Sequence, residues 1–337
     1  MTETMSAWAF DRPHKAPRLP LQRVQRAIPN PDAGEILVRV RACGVCRTDL
    51  HLAEGDLAPR RPGVIPGHQV VGTVLARGEG TDRFEAGERV GIAWLRSTCG
   101  FCRWCRSGSE NLCPRSRYTG WDSDGGFAEL ATVPAAFAYR IPERYDDEQA
   151  APLLCAGIIG YRALRRARVP PGGRLGIYGF GSSAHITAQI ATAEGTELHV
   201  MTRGESSRAL ARQLGAVFVG GPTARPQVPL DSAIVFAPAG DLVPVALEAL
   251  DRGGTLVLAG IHMTDVPPLG YQKHLFLERD VRTVTANTRR DGEELLRLAS
   301  RIPLRLHTTS YGFDHVDTAL SDLAAGRVSG SAVVHLG

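Results

Sequence analysis

The 337-residue sequence predicts an α/β protein in two domains, a mostly-β domain and a doubly wound parallel sheet. Three observations predict this. Before about residue 150, short β-branched runs are broken by Gly, Pro and acidic turns. Between 150 and 287, strand-like runs alternate with helical stretches of about 10–15 residues, the pattern of βαβ units. After about Asn287 only one short helix and one strand remain, too little for a domain. The predicted division is therefore 1–149 with 288–337, and 150–287.

In the first part, Glu35–Val40 (EILVRV), Val70–Leu75 (VVGTVL) and Glu88–Ile92 (ERVGI) read as strands of a mostly antiparallel sheet, because β-branched residues suit a pleated, half-buried surface. In the second, Arg174–Gly179 (RLGIYG) is an apolar run typical of a strand buried on both faces. Ser182–Glu194 follows as a helix, Glu197–Met201 as a strand and Ser206–Leu214 as a helix. The alternation continues through Ser232–Phe236, Val243–Leu250 and Thr255–Leu258. Crossovers of this kind cover both faces of a parallel sheet. Glu293–Ser300 and Ser331–Leu336 form the last helix and strand and are expected to return to the first domain.

Composition narrows the function. With 43% hydrophobic and 22% charged residues the chain has the make-up of a folded globular protein. No apolar run approaches the roughly 20 residues that span a bilayer, and the N-terminal segment lacks the apolar core of a signal peptide. The expected location is cytoplasmic, with no membrane partner. The net charge is only +4, and all the basic residues except Lys15 and Lys273 are arginine, spread along the chain. No basic cluster coincides with a binding motif, so nucleic acid is not an expected partner.

Seven cysteines are the informative residues. An odd number in a chain with no export signal suits metal thiolates better than a disulfide framework. Cys99, Cys102, Cys105 and Cys113 lie in one run, CGFCRWCRSGSENLC, at about 95–115. Four thiolates at CxxC spacing can close a tetrahedral shell around zinc, a structural site with no open position. Iron–sulfur clusters also use four cysteines, but the pairing with a second cluster is missing.

Cys43 and Cys46 lie in ACGVCRTDLH, His68 in PGHQVVG and Cys155 in PLLCAGIIGY. Singly, such residues are commonly core residues. Together with the four-cysteine run, DGGFAEL and the glycine turn discussed below, and in this order along nearly the whole chain, they resemble the zinc-dependent medium-chain alcohol dehydrogenase family, nearest its microbial branch. The resemblance implies a GroES-like catalytic domain, a Rossmann coenzyme domain and a homo-oligomer, either dimer or tetramer. It places Cys46, His68 and Cys155 on the catalytic-zinc ligands and Asp49 on the carboxylate that orients the ligand histidine. Thr48 and His51 fall on the proton-relay positions, Trp94 and Trp121 on substrate-pocket aromatics, and Arg47 on a cofactor-phosphate contact. Ser331 stands where a second phosphate-binding arginine is expected, so that contact is either lost or taken over by Arg327. Cys43 is left over, read as a small buried hydrophobe, with alternative zinc ligation open because of its short offset from Cys46.

One position departs from the family pattern: Gln69 replaces the glutamate that follows the ligand histidine. A neutral amide near the zinc makes the ion a stronger Lewis acid with slower ligand exchange.

Gly179, Gly181, Ser182, Ser183 and Ala184 belong to GFGSSA, a GxGxxA turn between a strand and a helix, suited to a dinucleotide pyrophosphate. An acidic residue at the end of the next strand would mark NAD. Thr202 and Arg203 stand there instead, with Arg208 beyond, which favours NADP, while Glu205 keeps NAD open. The expected activity is hydride transfer between NAD(P)(H) and a small alcohol or aldehyde, with zinc at two sites. The alternatives are a reductase of C=N or activated C=C bonds and a catalytically silent cofactor- or metal-binding protein.

Overall fold

The computed structural model describes residues 3–10, 21–58, 60–260 and 262–337. The described residues fall into two compact units, Met1–Cys155 with Ala286–Arg301 and Leu306–Gly337, and Ala156–Thr285 with Ile302–Arg305. The first unit thus runs on through Cys155 rather than stopping at 149, and the tetrapeptide 302–305 belongs to the second.

In the first unit, Glu35–Val45 is the hub. It pairs antiparallel with Val70–Arg77, with Leu130–Pro134 and with Ser331–His335 from the chain's end. Its length follows from ILVRVRACGV, in which Ile36, Val38, Val40, Cys43 and Val45 reach the core. The last strand meets it in the register Ala332↔Val45 to His335↔Ala42, so the C-terminal segment completes this sheet. Arg89–Ile92, Ala138–Arg140 and Thr308–Gly312 extend the sheet outward. A further antiparallel pair, Thr4–Phe10 with Leu21–Ala27, contributes Trp8 and Phe10 to the core.

The second unit carries six parallel strands in the order Phe218–Gly220, Glu197–Met201, Arg174–Tyr178, Leu230–Val235, Leu250–Leu258, Asp280–Thr283. This is the doubly wound order 3-2-1-4-5-6, whose switch point lies beside Arg174–Tyr178. Gly179 follows that strand with φ 85°, the left-handed conformation that glycine adopts without strain. A Cβ on Gly181 would meet nothing within 4 Å, so the backbone there is open to a ligand.

Ala156–Ala167 is a helix that the sequence pattern did not reveal, because two glycines and two isoleucines weaken its propensity. Tertiary packing overrides that. A Cβ on Gly160 would lie 2.2 Å from Thr187 Oγ1, so the glycine lets this helix press against Ser182–Ala193. The helix expected at 293–300 is longer, Arg289–Arg301, with Thr288 and Asp291 hydrogen-bonded to each other across its first turn.

Candidate metal centres and cofactor site

The helix Arg47–Glu54 organises the first centre. Cys46 is its N-cap, its sulfur accepting from the Thr48 amide at 3.3 Å. Asp49 is fully buried, and its carboxylate accepts from the Cys46 amide at 2.9 Å and from the Gly67 amide at 3.1 Å. One carboxylate therefore ties together two segments far apart in sequence, the helix start and the Pro66–Gly67–His68 turn. Gly67 takes φ 91° in that turn, and a Cβ there would strike Phe127 and the Cys43 sulfur. Cys43 is wholly buried in this contact, the small hydrophobe expected of it.

His68 projects from the turn with Nδ1 3.4 Å from Asp49 Oδ1 and Nε2 3.2 Å from Cys46 Sγ. Cys155 enters at the end of the 3₁₀ turn Ala151–Leu154. One ligand atom from each of Cys46, His68 and Cys155 lies within 4.8 Å of the others. The structure thus brings together three residues that sequence spacing alone leaves 22 and 87 positions apart.

The donor chemistry fits zinc. A tetrahedral ion with Zn–S about 2.3 Å and Zn–N about 2.0 Å separates sulfur and nitrogen by roughly 3.5 Å, near the distance found. A hydrogen bond from Cys155 holds the Cys46 thiol well below its usual range, while the Cys155 thiol is raised by the same contact and by burial. Burial pulls the His68 imidazole down, but the Cys46 sulfur and Asp49 carboxylate outweigh it and bring the group to about 10. Thiolate, carboxylate and imidazolium in so dry a place leave a net negative charge, which a divalent cation taking the place of the ring proton would neutralise. Asp49→Asn is expected to weaken zinc binding at this site about 10- to 100-fold, the usual effect of losing an outer partner of a ligand histidine. Competition with a zinc-responsive dye measures it, and unchanged affinity would contradict the role.

Around these donors, Thr48 is buried and His51 is partly exposed, with Nδ1 3.2 Å from Asp56 Oδ2. Gln69 is buried with its carboxamide against Gly44, where a Cβ would lie 2.8 Å from Cδ. Trp94 meets His68 edge-on at 4.8 Å and stacks on Tyr118 and Trp121 at 5.0 and 5.9 Å. The Arg60 guanidinium caps the stack 3.9 Å above Trp121, and the Trp121 indole donates to the Ala58 carbonyl. Tyr118 and Arg60 escaped the sequence reading, since no motif marks them.

In the second centre, Cys99, Cys102, Cys105 and Cys113 all lie within 4.8 Å of one another. The Cys102–Cys105 and Cys99–Cys105 sulfurs are 3.5 and 4.0 Å apart. Four sulfurs about 2.3 Å from one tetrahedral ion stand about 3.8 Å apart, whereas a disulfide would need about 2.0 Å. Backbone amides of Cys99 and Arg115 point at the Cys113 sulfur, and that of Cys102 at Cys99. Burial works against ionising Cys99, but the amides of Phe101 and Cys102 bring it to about 6. The lobe is anchored through Glu110, which takes the Arg289 guanidinium and amide at 2.7–3.1 Å.

At the glycine turn, Ser182–Ala193 begins directly after Gly181, with Ala184 fully buried. Thr202 is buried, and its amide donates to the Gly220 carbonyl. Arg203 is exposed. Glu205 takes Arg208 Nε at 2.9 Å and Arg212 NH1 at 3.1 Å, which hold its carboxyl below the usual range. Arg47 is exposed at its helix start, and Ser331 opens the last strand. Arg327 pairs with Asp322 at 2.6 and 2.9 Å.

Residues 32–143 match the alcohol dehydrogenase GroES-like domain family. The chain is 59% identical to a probable alcohol dehydrogenase AdhA of Mycobacterium tuberculosis, over 99% of this chain and 98% of that protein. It is 34% identical to an alcohol dehydrogenase of Geobacillus stearothermophilus, over 94% and 96%. Among solved structures it resembles a cobalt- and zinc-bound thermostable alcohol dehydrogenase of Pyrobaculum aerophilum, at TM-score 0.89 and 26% identity over 99% and 100% of the two chains. A cinnamyl alcohol dehydrogenase of Sorghum bicolor superposes equally well, at TM-score 0.89 and 27% identity over 99% and 98%. A GroES-like unit and a six-stranded Rossmann sheet in one chain, with cysteine-rich donor sets in the former, define a medium-chain oxidoreductase. The chain belongs to the zinc-type medium-chain alcohol dehydrogenase family. No helix among the described residues is long and apolar enough to cross a membrane.

Proposed function

We propose that this chain interconverts small alcohols and aldehydes with a nicotinamide cofactor, holding one zinc ion in the first unit through Cys46, His68 and Cys155 and another through the four-cysteine lobe. The observation that carries the reading is the convergence of those three donors beside a buried carboxylate. When bound, zinc supplies Lewis acidity at the substrate oxygen and the nicotinamide accepts or returns hydride. The chain's own residues do the rest. Asp49 fixes the His68 ring. The Thr48 hydroxyl takes the alcohol proton and His51 hands it to solvent. Trp94 and Trp121 offer apolar walls that favour small, apolar substrates. Gln69 leaves the zinc site without the anion of the family pattern.

GFGSSA receives the pyrophosphate at the start of Ser182–Ala193. For the ribose end we propose NADP(H). Arg203 is exposed, and Glu205, two residues on, is paired with Arg208 and Arg212 rather than free to take a 2′-hydroxyl. Arg203→Asp should shift the NADPH:NADH ratio of kcat/KM toward NADH by about 10- to 100-fold, the worth of a charge-assisted pair. A wild-type enzyme that prefers NADH would overturn the assignment. Family membership also supports a homo-oligomer, dimer or tetramer, which light scattering distinguishes. The activity itself is tested by NAD(P)H absorbance with short aldehydes, before and after removal of zinc.

A further inference from the structure

The helix Arg47–Glu54 ends at Gly55, whose left-handed backbone (φ 77°, ψ 8°) bends the chain back on itself. The Gly55 amide donates to the Leu52 carbonyl and the Leu57 amide to the His51 carbonyl, fixing the reversal. Asp56 is thereby returned to within 3.2 Å of His51 Nδ1. Glu54, three residues beyond His51 on one helix face, completes a group in which one donor atom of each residue lies within 4.8 Å of the others. Among the described residues no lysine or arginine pairs with either carboxylate. The His51 side chain is 15% exposed and that of Asp56 34%, so the group is open to solvent and yet partly dehydrated.

We propose that His51, Glu54 and Asp56 form a third divalent-metal site, separate from both cysteine centres, which takes zinc or cobalt in excess and arrests turnover by occupying His51. Two carboxylates neutralise a divalent ion, and the imidazole biases the set toward zinc, cobalt or nickel over calcium and magnesium. The site is built of oxygen and nitrogen donors without thiolate, so it binds more weakly than either cysteine centre and fills only when free metal rises. The arrest, though not the binding, rests on the reading of His51 as the proton-passing residue.

The test starts from enzyme dialysed to its resident metal content and titrated with Zn²⁺ or Co²⁺, with bound metal counted per chain. One additional equivalent is expected, with none from Mg²⁺ or Ca²⁺ at the same concentration. Glu54→Gln and Asp56→Asn should each weaken that equivalent by at least about tenfold, the lower end of what losing even an outer partner costs a metal site. Wild-type turnover should fall as the equivalent fills and return on dilution into metal-free buffer. Glu54→Gln should keep its basal turnover and resist the inhibition. Absence of an extra equivalent, or equal affinity in both variants, overturns the site. Filling without loss of turnover overturns the arrest. His51→Gln separates the two ideas, because full activity in that variant would refute the proton role while leaving metal counting to judge the site.

Discussion

Replacing Cys46 with serine should leave a folded protein that has lost the metal of the first centre and roughly three or more orders of magnitude in kcat/KM. Serine is itself a preferred helix N-cap and can still accept from the Thr48 amide, so the helix Arg47–Glu54 keeps its start. The metal site does not survive so well. A hydroxyl stays protonated where the thiol ionises, and the remaining imidazole and single thiol make a poor zinc set. Lewis-acid assistance is worth several kcal/mol, and each 1.36 kcal/mol is tenfold in rate, which sets the size of the loss. Elemental analysis with NAD(P)H absorbance measures both. A serine variant that keeps full metal content and activity within about tenfold of wild type would contradict the ligand set.

The second large effect concerns the lobe. Its regular structure is confined to Leu95–Ser97 paired with Arg117–Tyr118, Arg103–Arg106 and Glu110–Leu112, and Phe101 and Leu112 are exposed. So little core cannot hold a loop of this length, and an ion held by the four thiolates would be the staple. Cys105→Ser should open the lobe to trypsin at Arg103, Arg106 and Arg115 while leaving metal at Cys46, His68 and Cys155. Structural zinc in small peptides contributes about 10–16 kcal/mol to folding; were only about 3 kcal/mol of that felt by the first unit, its melting temperature would fall by roughly 6–12 °C. The Glu110–Arg289 contacts would limit the damage to the lobe. Unchanged melting and unchanged resistance to trypsin would mean that the four thiols hold nothing.

What could be read from the sequence was what has a local cause. Arg174–Tyr178 and its successors were legible because a run buried on both faces and a following amphipathic stretch each carry their own periodicity. The four lobe cysteines were legible because their spacing is short enough to fix their geometry. Cys46, His68 and Cys155 are different. Their meeting depends on Asp49 bridging Cys46 and Gly67, and on the turn that delivers Cys155, which no spacing rule encodes. Only the family resemblance singled them out as a set. The Ala156–Ala167 helix was missed because Gly160 is there for packing against Thr187, at the cost of helix propensity. Tyr118, Arg60 and the carboxylates beside His51 were missed because contacts across loops leave no pattern in the chain, and the return of Asp56 hangs on the backbone of a single glycine.

Crystals of the purified enzyme measured on both sides of the zinc absorption edge test the central claim most directly. Two anomalous peaks per chain are predicted, one among Cys99, Cys102, Cys105 and Cys113, and one within about 2.0–2.3 Å of Cys46 Sγ, Cys155 Sγ and His68 Nε2. A map with density in the lobe alone, or with the second peak out of bonding reach of any of those three atoms, would contradict it.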